Sequence, residues 1–213
     1  RLDQIDNVVK APKKTYVQVE LVGGEAALEA DAILAPKDSR TDLVLRDLEF
    51  IEKRLANSEE QLEKNLLHKL KGILEKEEFI FQAGLSEEEK RSISVYGLIT
   101  AKPVVLAEEK ELDDLDVLLL RCFQGAGFIN FFTATGGREI RAWLLKKGSS
   151  AWEAAGSVHS DIQQGFIRAE IISFTDFIQT GGETAAKQAG LMRLEQKEYV
   201  IQDADIVNFR FNK

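Results

Sequence analysis

The sequence has very few residues of the kinds that form disulfides and zinc sites. Cys122 is the only cysteine, and there are two histidines. One thiol cannot form an internal disulfide, and these three side chains are too few for a Cys/His zinc site. No apolar run approaches the roughly 20 residues that cross a bilayer, and residues 1–3 lack the apolar core of a secretory signal. We therefore expect a cytoplasmic protein with no structural zinc and no membrane contact.

The motif of a phosphate-binding loop is also missing. Such a loop needs glycines that let backbone N–H groups approach the phosphates, a lysine for their charge and a Ser or Thr hydroxyl for Mg²⁺. No G-x-x-x-x-G-K-[ST] occurs in the chain, and Gly23-Gly24 indicates only a turn. The residues therefore indicate no nucleotide-binding, metal-binding or catalytic site.

What is present suits a globular protein with an acidic middle. The chain has 213 residues, is 44% hydrophobic and has a formal net charge of −8, so it can bury a core in one or two domains. Residues 38–125 carry 13 basic and 20 acidic side chains, whereas residues 126–213 carry ten of each. The net charge weakens an RNA-binding interpretation, but a neutral C-terminal part can still present a local basic patch.

Two parts of the chain have the pattern of an α/β sheet. Tyr16–Val22 alternates as a strand should, and the short apolar run 31–34 indicates a buried strand. Pro103–Leu106 indicates another buried strand. It is followed by an acidic segment and by a short apolar helix that ends near Cys122. Strands joined by so little chain cannot form a domain alone, because a sheet needs its apolar faces covered.

Residues 41–96 are helical by pattern. Apolar residues recur at three- and four-residue steps, which predicts an antiparallel helical hairpin followed by a shorter helix. Ser58 with Gln61, and Ser86 with Glu89, have the spacing of a capping box at a helix start. The apolar stripe comprises Leu48, Ile51, Leu55, Leu62, Leu66, Leu70 and Ile73.

From residue 128 the predicted order is two strands, a helix, a strand, a short helix and two strands. Glu139–Leu145 and Phe166–Ile172 are rich in bulky and β-branched residues, which favours strands. Ser150 with Glu153 predicts a capped helix between them, and Gly190 ends the short helix. This is the element order of a ubiquitin-like β-grasp.

Several motifs of the C-terminal part together resemble a TGS domain, of the type that ends the YchF/Obg-like P-loop NTPases. They are Phe131-Phe132-Thr133-Ala134, Arg141-Ala142-Trp143, His159-Ser160-Asp161, Gly165 to Glu170, Gln202 to Asp205 and Phe209-Arg210-Phe211. The rest of the chain resembles the same family, since Leu45–Leu55 (LRDLEFIEKRL) is similar to the first helix of its inserted arm. Leu98–Val105 (LITAKPVV) is similar to the strand before its base-recognition loop.

The resemblance implies an α+β fold with three parts. Residues 1–37 and 98–125 would be a partial α/β, G-domain-like sheet, residues 38–97 an inserted helical hairpin arm, and residues 126–213 a β-grasp (TGS) domain. It further implies GTP or ATP with Mg²⁺ as cofactor, and the ribosome or RNA as partner.

The chain departs from the family where nucleotide is handled. Gly-Gly-Glu follows Val22 at the place of the second switch, and Ala-Glu-Glu follows Leu106 at the place of the base-reading loop. Either this is a degenerate relative that no longer binds nucleotide, or those loops belong to the complete protein and are missing here. The second alternative is favoured, because the neighbouring strands and helices are retained. The competing hypothesis is a nucleotide-independent TGS adaptor that binds protein or RNA, and a structural coiled-coil protein is a weaker third.

Four basic residues are candidates for an RNA or partner surface: Lys146, Lys147, Arg168 and Arg193. For any one of them an ordinary exposed charge is the commoner explanation. Cys122, His159 and Asp161 contain the groups of a nucleophile, a base and an orienting acid, but nothing in the sequence places Cys122 near the other two. We therefore name no catalytic residue.

Overall fold

The computed structural model describes residues 1–134 and 137–212, and its contacts divide the chain into two units. One, here the C-terminal unit, combines Arg1–Glu20 with Gly127–Lys213, and the other, here the middle unit, is Leu21–Ala126. The predicted 126–213 domain also includes residues 135, 136 and 213, which lie outside the described residues.

The described residues form short strands and mostly short helices. The strands are β1 (Lys13–Thr15), β2 (Ile33–Pro36), β3 (Val104–Ala107), β4 (Phe128–Thr133), β5 (Glu139–Lys146), β6 (Phe166–Ile172), β7 (Arg193–Glu195) and β8 (Ile206–Phe211). The helices are α1 (Leu2–Val9), α2 (Arg40–Asn57), α3 (Gln61–Leu74), α4 (Glu87–Ile93), α5 (Leu115–Gly125), α6 (Ala151–Val158), α7 (Ser160–Gln164), α8 (Phe174–Thr180) and α9 (Glu183–Gln188).

The C-terminal unit is built on a mixed sheet in the order β1-β5-β4-β8-β6-β7. The pairs β1/β5 and β4/β8 are parallel, and the other neighbours are antiparallel. Because side chains alternate between the faces of a sheet, its apolar residues form two cores. On one face Phe131, Ile171 and Val207 pack with the alanines of α6. On the other, Phe132, Ile140 and Ile206 pack with residues of α1, α8 and α9.

Each core is held by full burial of large side chains. Phe131 and Phe177, one in each core, are essentially inaccessible to solvent, and burying such a ring stabilises the fold by about 2–3 kcal/mol. Ala151, Ala154 and Ala155 face the sheet from α6. Their small side chains let the helix approach closely and leave larger residues of the helix on its outer side.

The middle unit contains the β2/β3 parallel pair and the helices α2 to α5. Ile51 of α2 packs with Leu67 and Leu70 of α3, in a core that also includes residues of the segments after the hairpin. Asp47 ties α2 to the segment that precedes β3. Its buried carboxylate accepts hydrogen bonds from the Ile99 and Thr100 backbone N–H groups and from the Thr100 hydroxyl.

The predicted capping boxes have different outcomes. Those at Ser86 and Ser150 are confirmed, since each serine accepts from the N–H three residues later and the glutamate there accepts in return. The box at Ser58 with Gln61 is wrong. Ser58 instead ends α2, since its N–H donates to the Arg54 carbonyl, and α3 begins at Gln61 without a side-chain cap. The Ser58 hydroxyl donates to the carboxylate of Glu63.

The predicted strand Tyr16–Val22 is also wrong. Pairing with β5 ends at Thr15, so the alternating residues that follow have no ladder partner among the described residues, and Tyr16 and Leu21 are exposed. The same pairing places Arg1–Glu20 in the C-terminal unit, whereas the predicted division grouped it with 98–125. The assignment of functional domains stays a prediction.

Candidate functional site

Lys146 and Lys147 lie together at one end of the sheet. Lys146 ends β5 opposite Phe128, the first residue of β4, and its Nζ lies 4.1 Å from the centroid of that ring. The Lys147 backbone N–H donates to the Gly127 carbonyl at 2.7 Å. Both lysines are exposed, and the paired backbone fixes where they leave the sheet.

The start of α6 brings a second loop to this end of the sheet. The Ala151 N–H donates to the Tyr199 carbonyl at 2.7 Å, and the Trp152 N–H donates to the Lys197 carbonyl at 3.2 Å. Ala151 faces the core, so the next residue of the helix, Trp152, points away from it and is 45% exposed. The side chain of Lys197 is 66% exposed, and its Nζ lies 3.9 Å from the Glu198 carboxylate.

Arg168 lies at the opposite end of the sheet. It pairs with Arg210 across β6 and β8, and Phe132 pairs with Ile206 at the middle of the sheet. The strand registers thus separate Arg168 from Lys146 by roughly eight residue steps, or about 26 Å along the strands. Arg210 is the nearer basic neighbour, and it donates to the buried carboxylate of Glu170.

Arg193 lies on the face that α6 covers, since it pairs with Ile171 of that core. Its guanidinium donates to the Tyr199 hydroxyl at 3.1 Å and lies 3.8 Å from Asp205. The Tyr199 hydroxyl in turn donates to Asp205 at 3.0 Å. Burial raises the pKa of Asp205, and the positive charge of Arg193 opposes this by favouring the charged form of the carboxylate. This contact indicates a structural role for Arg193.

The four predicted residues therefore occupy three separate places, and only Lys146 and Lys147 lie together. Whether any of them binds RNA stays a prediction. Sequence reasoning did not place Lys197 beside the start of α6. The capping box at Ser150 was a usable signal for Trp152, because the second residue after a cap can be placed on the helix, but nothing local in the sequence links Lys197 to that helix.

The carboxyl ends of β2 and β3 are where a parallel sheet of the α/β class binds ligands. In this chain Lys37 and Glu108 meet there at 3.0 Å, with Asp38 and Glu109 beside them. Its hydrogen bond to Glu108 raises the pKa of Lys37, so the lysine charge is already compensated. These residues do not fit a nucleoside triphosphate, because Glu108 already pairs with both Lys37 and Lys110 and no phosphate-binding loop precedes them.

The remaining chemical candidates have structural explanations. The His159 Nδ1 accepts from the Asp161 backbone N–H at 3.1 Å and caps α7. Burial raises the pKa of the Cys122 thiol, which is the opposite of what an activated nucleophile requires. Over residues 1–134 and 137–212 no group of three His, Cys, Asp or Glu side chains could hold a metal ion. In the same part of the chain no helix is long and apolar enough to cross a membrane.

Comparison with known proteins gives consistent similarities. Residues 128–212 match the family described as "YchF-GTPase_C: Protein of unknown function (DUF933)". The chain is 30% identical to the "Ribosome-binding ATPase YchF" of Bacillus subtilis over 236 residues, covering 80% of this chain and 64% of the relative. The protein of the same name from Haemophilus influenzae is 31% identical over 234 residues, covering 81% and 64%.

A solved structure is similar over nearly the whole chain. It is the "Structure of the Schizosaccharomyces pombe YchF GTPase", with a TM-score of 0.73 and 19% identity, covering 98% of this chain and 84% of that one. At this identity the likeness shows the fold alone, which is a mixed α+β fold.

The chain spans 64% of the length of the Bacillus subtilis relative. Their aligned region is 236 positions long, although 80% of 213 residues is only about 170. The relative therefore contains residues inside the aligned region that have no counterpart in this chain.

Proposed function

This chain belongs to the YchF/Obg-like family, and on that premise we propose that it is the ribosome-associating part of a translation-associated NTPase. The observation that carries the proposal is the 30% identity to a ribosome-binding ATPase over 80% of the chain, together with the family match of residues 128–212. A cytoplasmic location follows from that role.

We propose further that the C-terminal unit contains a β-grasp of the TGS type. The strand order β5-β4-β8-β6-β7 supports this, as does α6, which follows the β4/β5 hairpin and covers one face of the sheet. β1 adds an edge strand that runs parallel to β5. Such a sheet would present the ends of its strands to a partner, while α2 and α3 would act as the arm.

Nucleotide binding belongs, in this proposal, to the complete protein. ATP or GTP with Mg²⁺ would be held by segments that the relatives carry and this chain lacks, since the residues around Lys37 and Glu108 are too acidic for a triphosphate. The bound nucleotide would supply the chemistry of phosphoryl transfer. This chain's own residues would serve to bind the partner.

The alternative is an adaptor that works without nucleotide and binds protein or RNA through the TGS-like unit. The acidic carboxyl ends of β2 and β3 favour this alternative, because the lysines there, Lys37 and Lys110, are already paired with Glu108. Both candidates place partner binding in the C-terminal unit, and they differ in whether nucleotide changes it.

Sedimentation with purified ribosomes through a sucrose cushion tests the proposal, with Mg·ATP, Mg·GTP or neither present. We expect the 213-residue chain to pellet equally in all three conditions, and a complete protein with the additional segments to respond to nucleotide. Titration calorimetry of both proteins with the same nucleotides provides the control for binding. If the chain stays in the supernatant at low salt, ribosome association is contradicted. If the complete protein releases no heat of nucleotide binding in calorimetry, the adaptor is favoured.

A further inference from the structure

We propose that the outer face of α5 binds a basic amphipathic helix of a partner protein. The face consists of Asp116, Val117 and Leu120, with the half-buried Phe123 at its border, and is called the α5 face below. The inference goes beyond the proposed function, since it adds a protein-binding surface to the middle unit, at a helix that the proposed ribosome contact does not use.

The packing of α5 fixes which of its residues point outward. The helix lies against β2 and β3, with Leu118 fully buried. The Arg121 guanidinium, about one turn later, donates to the Leu106 carbonyl of β3 at 3.1 Å. Val117 and Leu120, three residues apart and therefore neighbours on the helix, are 51% and 53% exposed. A surface helix normally carries polar side chains on its outer side, so two neighbouring aliphatic side chains there indicate an interaction surface.

The start of α5 is held in place by two contacts. The Asp114 carboxylate accepts from the Val117 N–H at 3.2 Å and caps the helix. The Arg121 guanidinium donates to the Glu111 carboxylate at 2.8 Å, which ties the segment before the helix to its second turn. A surface that is already ordered loses little conformational entropy when a partner binds.

The charge around the α5 face is negative. Residues 108–121 contain six acidic and two basic side chains, and both basic side chains are already paired with glutamates. Asp113 and Asp116, just before and within the first turn of α5, are exposed and have no ion-pair partner in the part of the chain that the structure describes. A partner would therefore meet uncompensated carboxylates beside the aliphatic side chains.

This combination of aliphatic and acidic side chains selects one class of partner. RNA, an anionic lipid surface or a second copy of the chain would bring like charge to the α5 face, which is repulsive. Val117 and Leu120 need an apolar stripe opposite them, and an amphipathic helix presents such a stripe at the same three- and four-residue steps. Lysines or arginines beside that stripe would pair with Asp113 and Asp116. The partner is therefore a basic amphipathic helix.

Fluorescence anisotropy of a labelled peptide tests the proposal. The peptide is about five turns of helix long, with leucines at three- and four-residue steps and lysines at the other positions, and a scrambled peptide of the same composition should bind more weakly. We expect Leu120→Ser to weaken binding of the ordered peptide about fivefold at low salt, since roughly half of the leucine surface remains to be buried. Leu62→Ser is the matched control, because Leu62 is 75% exposed on α3 of the same unit, and should bind as the unaltered chain does.

The contribution of charge is measured separately. The double variant Asp113→Asn and Asp116→Asn should weaken binding about threefold at low salt and by little in about 0.5 M salt, where exposed charges are screened. Its matched control is Glu59→Gln with Glu60→Gln, two exposed carboxylates just before α3. Thermal unfolding verifies that each variant is folded.

Equal binding by the α5 variants and their controls would overturn the inference, as would equal binding of the scrambled peptide. A dimer in sedimentation velocity that Leu120→Ser dissociates would also overturn it, because the face would then join two copies. So would failure of the complete protein to bind the peptide, because its additional segments would then cover the face. If ribosomes still pellet the chain in these cases, the proposed function survives and only this surface is rejected.

Discussion

Replacing Asp47 by alanine should destabilise the middle unit strongly. The carboxylate is 2% exposed and receives hydrogen bonds of 3.2 Å and 2.7 Å from the Ile99 and Thr100 backbone N–H groups. The Thr100 hydroxyl donates a third bond of 2.7 Å. Removing the acceptor leaves buried donors unsatisfied at about 1–3 kcal/mol each. Because the two backbone donors cannot turn away, we expect a loss of about 3–5 kcal/mol in the free energy of unfolding.

Two further variants at this cluster separate charge from hydrogen bonding. Burial raises the pKa of Asp47, so the charge itself is penalised, and Asp47→Asn keeps one acceptor oxygen. We therefore expect Asn to cost less than Ala. Thr100→Val removes only the hydroxyl bond and should cost about 1 kcal/mol.

Urea unfolding and hydrogen exchange of the Ile99 and Thr100 amides measure the effect. Exchange is needed because the chain has two units, and a global transition need not report the middle one. Glu49→Ala is the control on the same helix, since Glu49 is exposed and its pair with Lys53 spans 4.0 Å; it should change stability by less than about 0.5 kcal/mol. Unchanged amide protection in Asp47→Ala would refute the reasoning that this cluster holds α2 to the segment before β3.

Three further outcomes can be measured in the same way. Gly165→Ala should lower the melting temperature of the C-terminal unit by several degrees, because its Cβ would lie 1.9 Å from the Asn212 carbonyl oxygen; an unchanged melting temperature would contradict this. Ala204→Gly should stabilise by about 0.5–1 kcal/mol in urea, since Ala204 has φ 71° and glycine accepts that backbone without strain; a loss of stability would show that the turn tolerates alanine. Hydrogen bonds from Ser58, Tyr96 and Arg54 lower the pKa of Glu63 to about 2. The stabilisation from Glu63 is thus complete above its ordinary pKa of 4.5 and is lost as pH falls toward 2; Glu63→Gln should flatten that part of a stability–pH profile, and an unaltered profile would exclude this residue.

Local sequence determined the helix starts that depend on residues close along the chain. The capping boxes at Ser86 and Ser150 were predictable because each needs only the residue three positions later. The box at Ser58 failed because Ser58 ends α2 instead of starting α3: its N–H donates to the Arg54 carbonyl, and its hydroxyl donates to Glu63. Whether a serine between two helices ends the first or caps the second is decided by the folded turn, which the spacing does not contain.

Strand pairing required the tertiary structure. The Tyr16–Val22 pattern was an adequate strand signal, but a strand forms only where a partner supplies hydrogen bonds, and the pairing of Thr15 with Arg141 ends that ladder. The partner is more than 100 residues away along the chain, so periodicity in the N-terminal segment alone could not locate it.

The candidate site divides in the same way. The sequence alone placed Lys146 beside Lys147, because they are neighbours in the chain. The register of β4, β8 and β6 put Arg168 at the far end of the sheet, and side-chain alternation turned Arg193 to the other face. Only the bond between the Trp152 N–H and the Lys197 carbonyl places Lys197 beside the start of α6. The number of basic side chains follows from the sequence alone. Which of them lie together depends on the backbone hydrogen bonds between distant segments.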